Sequence, residues 1–258
     1  MSEIEKMTAF NFSGIYEREE WMSSWKDRWI SFRDLEGTDG YCTEEAAQEI
    51  RQRISDMGEG GIHFLDSGNY HYLSKFWLEK ILRPFELVVF DRHSDMQPSA
   101  LLPLTSCGNW LLEVMEEHHF LKKVWLIGPP GETLRQIPAV FSERLTGISE
   151  MESVREDTMD QMVAQLGQYP VYLSIDKDVL SVEESPTNWD QGSMMLETLL
   201  KWLKLLAGKA QIMGADVCGE VSENGSFMSL EASCRKNDRV NRRLAETLQG
   251  CMRQAVLP

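Results

Sequence analysis

The 258-residue chain has no Cys-x-x-Cys pair; its five cysteines, Cys42, Cys107, Cys218, Cys234 and Cys251, stand singly and are odd in number. That pattern excludes a disulfide framework or a zinc ribbon and reads as reduced thiols. Basic residues are also scarce, with 26 Lys and Arg against 41 Asp and Glu and a net charge of −15. Binding to nucleic acid needs clustered positive charge to neutralise phosphates, so that class of partner is excluded, while a cationic small molecule is permitted. No run of about 18 apolar residues is present to span a bilayer. The opening Met1-Ser2-Glu3-Ile4-Glu5-Lys6 lacks the basic and apolar regions of a secretory leader, which places the chain in the cytoplasm. With 42% hydrophobic and 26% charged residues, it reads as one α/β domain over residues 1–258, long enough to bury its own core.

What the chain does have is a pair of apolar runs that end in potential ligands. Glu86-Leu87-Val88-Val89-Phe90 leads into Asp91-Arg92-His93-Ser94-Asp95. Alternate residues of an extended segment share a face, so Asp91, His93 and Asp95 converge if the backbone stays extended. Two carboxylates around an imidazole suit Mn, Fe or Zn better than Ca. Far downstream, Pro170-Val171-Tyr172-Leu173-Ser174-Ile175 leads into Asp176-Lys177-Asp178, two acids that would repel each other without a cation between them. Both clusters fall at strand ends, where open parallel sheets bind ligands.

Asp91-Arg92-His93-Ser94-Asp95 resembles the D-x-H-x-D motif of the arginase and agmatinase superfamily of ureohydrolases, which includes formiminoglutamase, and Ser174-Ile175-Asp176-Lys177-Asp178 resembles its S-[IL]-D-x-D motif. The resemblance runs from about His71 to Glu220. It implies a three-layer α/β/α fold with a mainly parallel sheet and two manganese ions. The implied reaction is hydrolysis of a C–N bond in a small guanidino, formimino or related compound by a metal-bridging hydroxide. Carried over by position, His71 and Asp95 would bind one ion, His93 and Asp178 the other, and Asp91 and Asp176 would bridge them. His71, in Gly68-Asn69-Tyr70-His71, takes the place of a G-G-D-H-S motif, while His63 lies within a strand and reads as structural.

The substrate side of the resemblance departs from the family. A loop histidine usual in these enzymes is replaced by Ser106-Cys107-Gly108-Asn109, which nominates Cys107 and Asn109 as substrate contacts. The loop after Asp178 differs too, and nominates Trp189 and Asp190. Asp216 and Glu220 in Asp216-Val217-Cys218-Gly219-Glu220 resemble the D-x-x-E strand whose glutamate faces a guanidinium, with one extra residue that calls for a bulge at Gly219. The apolar loop Met96 to Leu104 offers little to an α-amino acid head, so arginine is not the expected substrate. A deacylase of an acylated amine, or a metal-binding member without catalysis, are the alternatives, and self-association is left open.

Elsewhere the pattern predicts helical spacing for Trp21, Trp25 and Trp29, a strand over 29–32 and a helix from 43 to 57 capped by Thr43. Further strands fall over 60–65, 122–128 and 211–220, with helices over 72–78, 111–120, 194–206 and 241–256. Met151 to Leu166 reads as a strand-like start followed by a helix.

Overall fold

The computed structural model describes residues 7–98, 104–222 and 227–254. Ten strands are present in these segments: β1 Met7–Asn11, β2 Trp29–Ser31, β3 Tyr41–Cys42, β4 Ile62–Phe64, β5 Phe85–Phe90, β6 Thr105–Ser106, β7 Leu121–Ile127, β8 Leu145–Ile148, β9 Val171–Asp176 and β10 Ile212–Cys218. Eight form one sheet in the order β2-β1-β4-β10-β9-β5-β7-β8. Every neighbouring pair in it is parallel. Strands β3 and β6 make a separate antiparallel pair.

A parallel sheet is covered on both faces, so its central strands must be apolar on both. Strand β5 meets that demand, since Phe85, Leu87 and Val89 enter one core while Val88 and Phe90 enter the other. The first core is closed by the helices Glu44–Arg53, Leu73–Leu78 and Trp110–Glu117, and the second by Glu156–Gln165, Leu196–Ala207 and Phe227–Gln254. The result is the three-layer arrangement expected. Thr43 caps its helix as anticipated, its hydroxyl accepting from the Ala46 amide.

Four local expectations are corrected. The helix containing Trp21 stops at Ser23, and Trp29 opens β2; Trp21 and Trp25 both pack on Phe64, with ring centroids 6.1 and 5.8 Å away, so tertiary packing rather than a helical stripe explains their spacing. The strand anticipated at Met151 lies earlier, as β8, and 150–153 is a short helix with a Ser149–Glu152 capping box. Residues 7–11, not foreseen as a strand, form β1 between β2 and β4. The closing helix begins at Phe227 rather than 241, because a long amphipathic stripe was interrupted by charged positions that the structure turns to solvent. Residues 255 and 256 of that segment, Met1 to Lys6, and residues 99–103 of the apolar loop lie outside the described residues. Among the described residues no helix is long and apolar enough to cross a membrane.

Candidate metal centre

Strands β5 and β9 lie side by side with Phe90 opposite Ile175. The two acidic motifs, 85 positions apart, therefore leave the sheet at the same edge. Neither stays extended. Beyond Phe90 the chain bends, and the Asp91 carboxylate turns back to accept the His93 amide at 2.6 Å. Beyond Asp176 a short 3-10 turn forms, and Asp176 accepts the Asp178 amide at 2.9 Å. Aspartate favours such turns because its side chain replaces a backbone acceptor. Asp95 completes the bend at φ 49°, in the left-handed region that Asp tolerates. Its carboxylate is held by the Trp110 indole at 2.6 Å.

Convergence of these side chains thus comes from two turns rather than from strand alternation. His71, at the end of the turn Gly68–Tyr70, points its Nδ1 at Asp95 Oδ2 (3.1 Å), Asp91 Oδ2 (3.2 Å) and Asp176 Oδ2 (3.6 Å). His93 Nδ1 lies 2.8 Å from Asp178 Oδ2 and 3.6 Å from Asp91 Oδ1. Five of the six are buried, and His93 is about 30% exposed. They line a cavity of about 110 Å³ with Gly68, Gln97, Cys107, Gly108 and Trp189.

The electrostatics of this cluster fit a cation. Burial, and then the neighbouring Asp178 and Asp91 charges, push Asp176 up to about 7; burial and Asp91 do the same to Asp178. Burial alone would lower His93, yet its bonds to Asp178 and Asp91 hold it up at about 12. Likewise His71 is raised well above the usual imidazole range against its own burial, by Cys218 and then by its bonds to Asp91 and Asp95. Asp91 Oδ2 is buried with no hydrogen-bond partner, and one imidazole N–H cannot serve the several carboxylate oxygens around it. Groups of oxygen and nitrogen donors within 4.8 Å of one another form around His71, Asp91 and Asp95 and around Asp91, His93 and Asp178. Hard oxygen with imidazole nitrogen is a donor set for a first-row divalent ion.

Outer partners orient both imidazoles, as metal-binding histidines require. His71 Nε2 meets Ser174 Oγ at 2.9 Å, and that hydroxyl donates to Asp216 at 2.6 Å. His93 Nε2 meets Asp190 at 2.8 Å. By sequence Ser174 is only the first residue of its motif, with no role; its place between Leu173 and Ile175 on a buried strand is the signal that could have given it one.

The substrate-side expectations are redistributed. Asp216 and Glu220 do not line the cavity. Asp216 sits fully buried behind His71, its carboxyl pushed up to about 6 by burial. Glu220 turns into the protein interior, because Gly219 at φ 95° redirects the chain after β10 instead of forming the expected bulge toward the cavity. There it pairs with Lys177, Asn237 and Asn241. Asn109 is also withdrawn: it accepts the Ser106 amide and donates to the Leu104 carbonyl, shaping its own loop. Cys107 does line the cavity, with burial pushing its thiol up to about 12. Trp189 lines it as well, its indole donating to Asn69 at 2.8 Å. Asp190 lies at the rim on His93 and 3.8 Å from Arg92. His63 is the buried structural histidine expected, tilted against Trp77 with ring centroids 3.7 Å apart.

Comparison with known proteins bears on the family and the fold. The Arginase family profile matches residues 19–223. A Thermotoga maritima protein described only as uncharacterized is 33% identical over 210 residues, covering 81% of this chain and 78% of its own. Among solved structures, proclavaminate amidino hydrolase of Streptomyces clavuligerus is similar with a TM-score of 0.69 at 15% identity, covering 96% of this chain and 91% of that one. Formimidoylglutamase of Bacillus subtilis gives 0.65 at 12% identity, with 97% and 87% covered. Arginase of Bacillus cereus gives 0.63 at 14%, with 98% and 99% covered. The fold is theirs, and the extent of the profile match together with the 33% identical relative shows that this chain belongs to the arginase family.

Proposed function

We propose that the protein is a metal-dependent hydrolase that cleaves a C–N bond at the trigonal carbon of a small amidino, formimino or guanidino compound, and that arginine is not that compound. The observation that carries this reading is the convergence of His71, Asp91, His93, Asp95, Asp176 and Asp178 on one cavity around a buried carboxylate oxygen with no partner. These six would hold two divalent cations, manganese being the ion the family resemblance implies. Bound there, such ions supply Lewis acidity and a water acidified toward neutral pH.

The chain's own residues would do the rest. Ser174 and Asp216 hold His71 in one orientation, and Asp190 holds His93. Trp189 and Cys107 wall the cavity and keep bulk water from the reacting carbon. Among the described lining residues every acid belongs to the ligand set, so no spare carboxylate remains to pair a guanidinium. That favours a less cationic head group than arginine's, and it admits an acylated amine as a second substrate class.

The test is a product screen of metal-loaded protein against arginine, agmatine, guanidinobutyrate, formiminoglutamate and acetylated polyamines, reading urea, ammonia and free amine. Release from one of the non-arginine compounds, abolished by Asp91→Asn, is the expected result. Turnover of arginine at a kcat/KM of about 10⁴ M⁻¹s⁻¹ or more would refute the substrate assignment. Full metal occupancy without any turnover would refute the enzymatic reading.

A further inference from the structure

The six expected ligands are hard oxygens and imidazole nitrogens, but the structure brings a seventh donor of different character beside them. Cys218 is the last residue of β10, in register with Asp176 at the end of β9. Adjacent residues on parallel neighbours project to the same side, so the thiol lies against the carboxylate: Sγ is 3.1 Å from Asp176 Oδ2. Sγ also falls within 4.8 Å of the ligand atoms of both His71 and Asp176. The next residue explains why it is held there. A Cβ on Gly219 would come within 2.6 Å of Asp176 Oδ1, so only glycine lets the backbone after Cys218 pass this close to the centre.

Two contrasts separate this thiol from an ordinary buried cysteine. Cys234 and Cys251 sit in the helix-covered core, Cys251 directing its thiol to the Leu203 carbonyl. Cys218, buried like these, faces an imidazole and a carboxylate instead. Independently, Asp91 Oδ2, nearly fully buried and without a partner, is aimed into the same cluster 3.2 Å from His71 Nδ1. That oxygen, with no hydrogen bond of its own, calls for a cation within reach of His71, and Cys218 Sγ lies within 4.8 Å of a ligand nitrogen of the same imidazole.

We infer that Cys218 Sγ is a ligand of an ion held with it by His71 and Asp176, the two residues whose ligand atoms lie within 4.8 Å of the sulfur. This rests on the metal-centre reading above and extends it. On binding, the S–H bond breaks, the proton leaves to solvent, and the sulfur electron pair forms the bond to the cation, with no change of oxidation state. A thiolate among carboxylates shifts that half of the centre toward Zn²⁺, Fe²⁺ or Co²⁺ and away from Mn²⁺, because soft sulfur favours those ions. The other half, built by His93, Asp178 and Asp91, keeps only oxygen and nitrogen. The chain is thereby suited to two unlike ions.

The experiment uses the full chain, stripped of metal and reloaded with Co²⁺ or Zn²⁺. In the cobalt protein a sulfur-to-cobalt charge-transfer band in the near ultraviolet is expected. In the zinc protein, X-ray absorption should show a sulfur neighbour at about 2.3 Å. Cys218→Ser and Cys218→Ala should each remove both signals while His93-side binding persists, and the Zn-over-Mn preference should fall roughly 10-fold or more, a change of the size even outer partners can cause. Cys107→Ser, which alters the other nearby thiol, should leave the signals intact. Cobalt bound by the wild type without the band would overturn the inference and leave the metal centre standing, as would a band lost in Cys107→Ser and kept in Cys218→Ser. A wild type that binds no cobalt or zinc would overturn both.

Discussion

Lys177 stands between two expected ligands, Asp176 and Asp178, yet its side chain runs the other way into a closed polar chamber. It is fully buried, and its ammonium pairs with Glu220 and donates to Asn241 at 2.9 Å. Asn241 donates in turn to Glu220 at 2.8 Å and to Glu19 at 2.9 Å, and Asn237 donates to the other Glu220 oxygen at 2.9 Å. Burial and the Glu220 charge raise Glu19 well above the usual carboxyl range, while Lys177 outweighs burial and keeps Glu220 below it. The chamber therefore holds one cation, one anion and one neutral acid. Replacing Lys177 by Met, of similar length, strands the Glu220 charge. Breaking a buried pair in this way costs about 3–5 kcal/mol, a large share of the roughly 5–15 kcal/mol that holds a domain folded. In thermal terms this is a fall of about 6–20 °C, at 2–4 °C per kcal/mol for a chain of this size. The variant's Glu220 must then carry a raised folded pKa. An acid of that kind loses stability as pH rises from its unfolded pKa toward its folded one, so the deficit should shrink in mildly acidic buffer and grow toward alkaline pH, by up to about 1.4 kcal/mol per unit. Adding Glu220→Gln should recover at least half the loss and remove the pH dependence. Urea titrations of the three variants and wild type measure all of this. A cost for Lys177→Met below about 1 kcal/mol, the size of a surface pair, with no pH dependence, would refute the reasoning.

Other expectations follow from the same geometry. Asp91→Asn should abolish the stabilisation that metal confers, which for a site at 100 times its Kd is about 2.7 kcal/mol; melting curves with and without metal check this, and an undiminished shift in the variant would count against Asp91 as a ligand. Gly219→Ala should lose metal and destabilise the fold by about 1–3 kcal/mol or more, since φ 95° and the contact with Asp176 both resist a side chain; metal content and urea midpoint are the readouts. His63 is held neutral, its pKa pushed down to about 3 by burial. Its unfolded value is about 6.5, so on acidification the unfolded chain takes up a proton that the folded one refuses, and stability falls by up to about 1.4 kcal/mol per unit. His63→Gln should flatten the stability profile between about pH 6.5 and pH 5 by that one proton, whereas an unchanged slope would show the ring is not the group responsible.

Sequence by itself placed the candidate ligands at one edge of a sheet. Apolar, β-branched runs such as Leu87 to Phe90 and Val171 to Ile175 read as strands buried on both faces, and the acids that end them then emerge at the carboxyl edge. Five of the six candidate ligands, Asp91, His93, Asp95, Asp176 and Asp178, were legible from two short motifs, and His71 from the family resemblance. Tertiary structure decided the rest. Asp91, His93 and Asp95 converge through a bend with Asp95 at positive φ, which no period-two pattern contains. Glu220 reads as a substrate contact in a linear motif but is claimed by Lys177, 43 residues earlier, once β9 and β10 lie side by side. The same register puts Cys218 beside Asp176. These neighbours are fixed by strand pairing across long loops, and pairing depends on the packing of the whole sheet between its helices rather than on any residue's near neighbours in the chain.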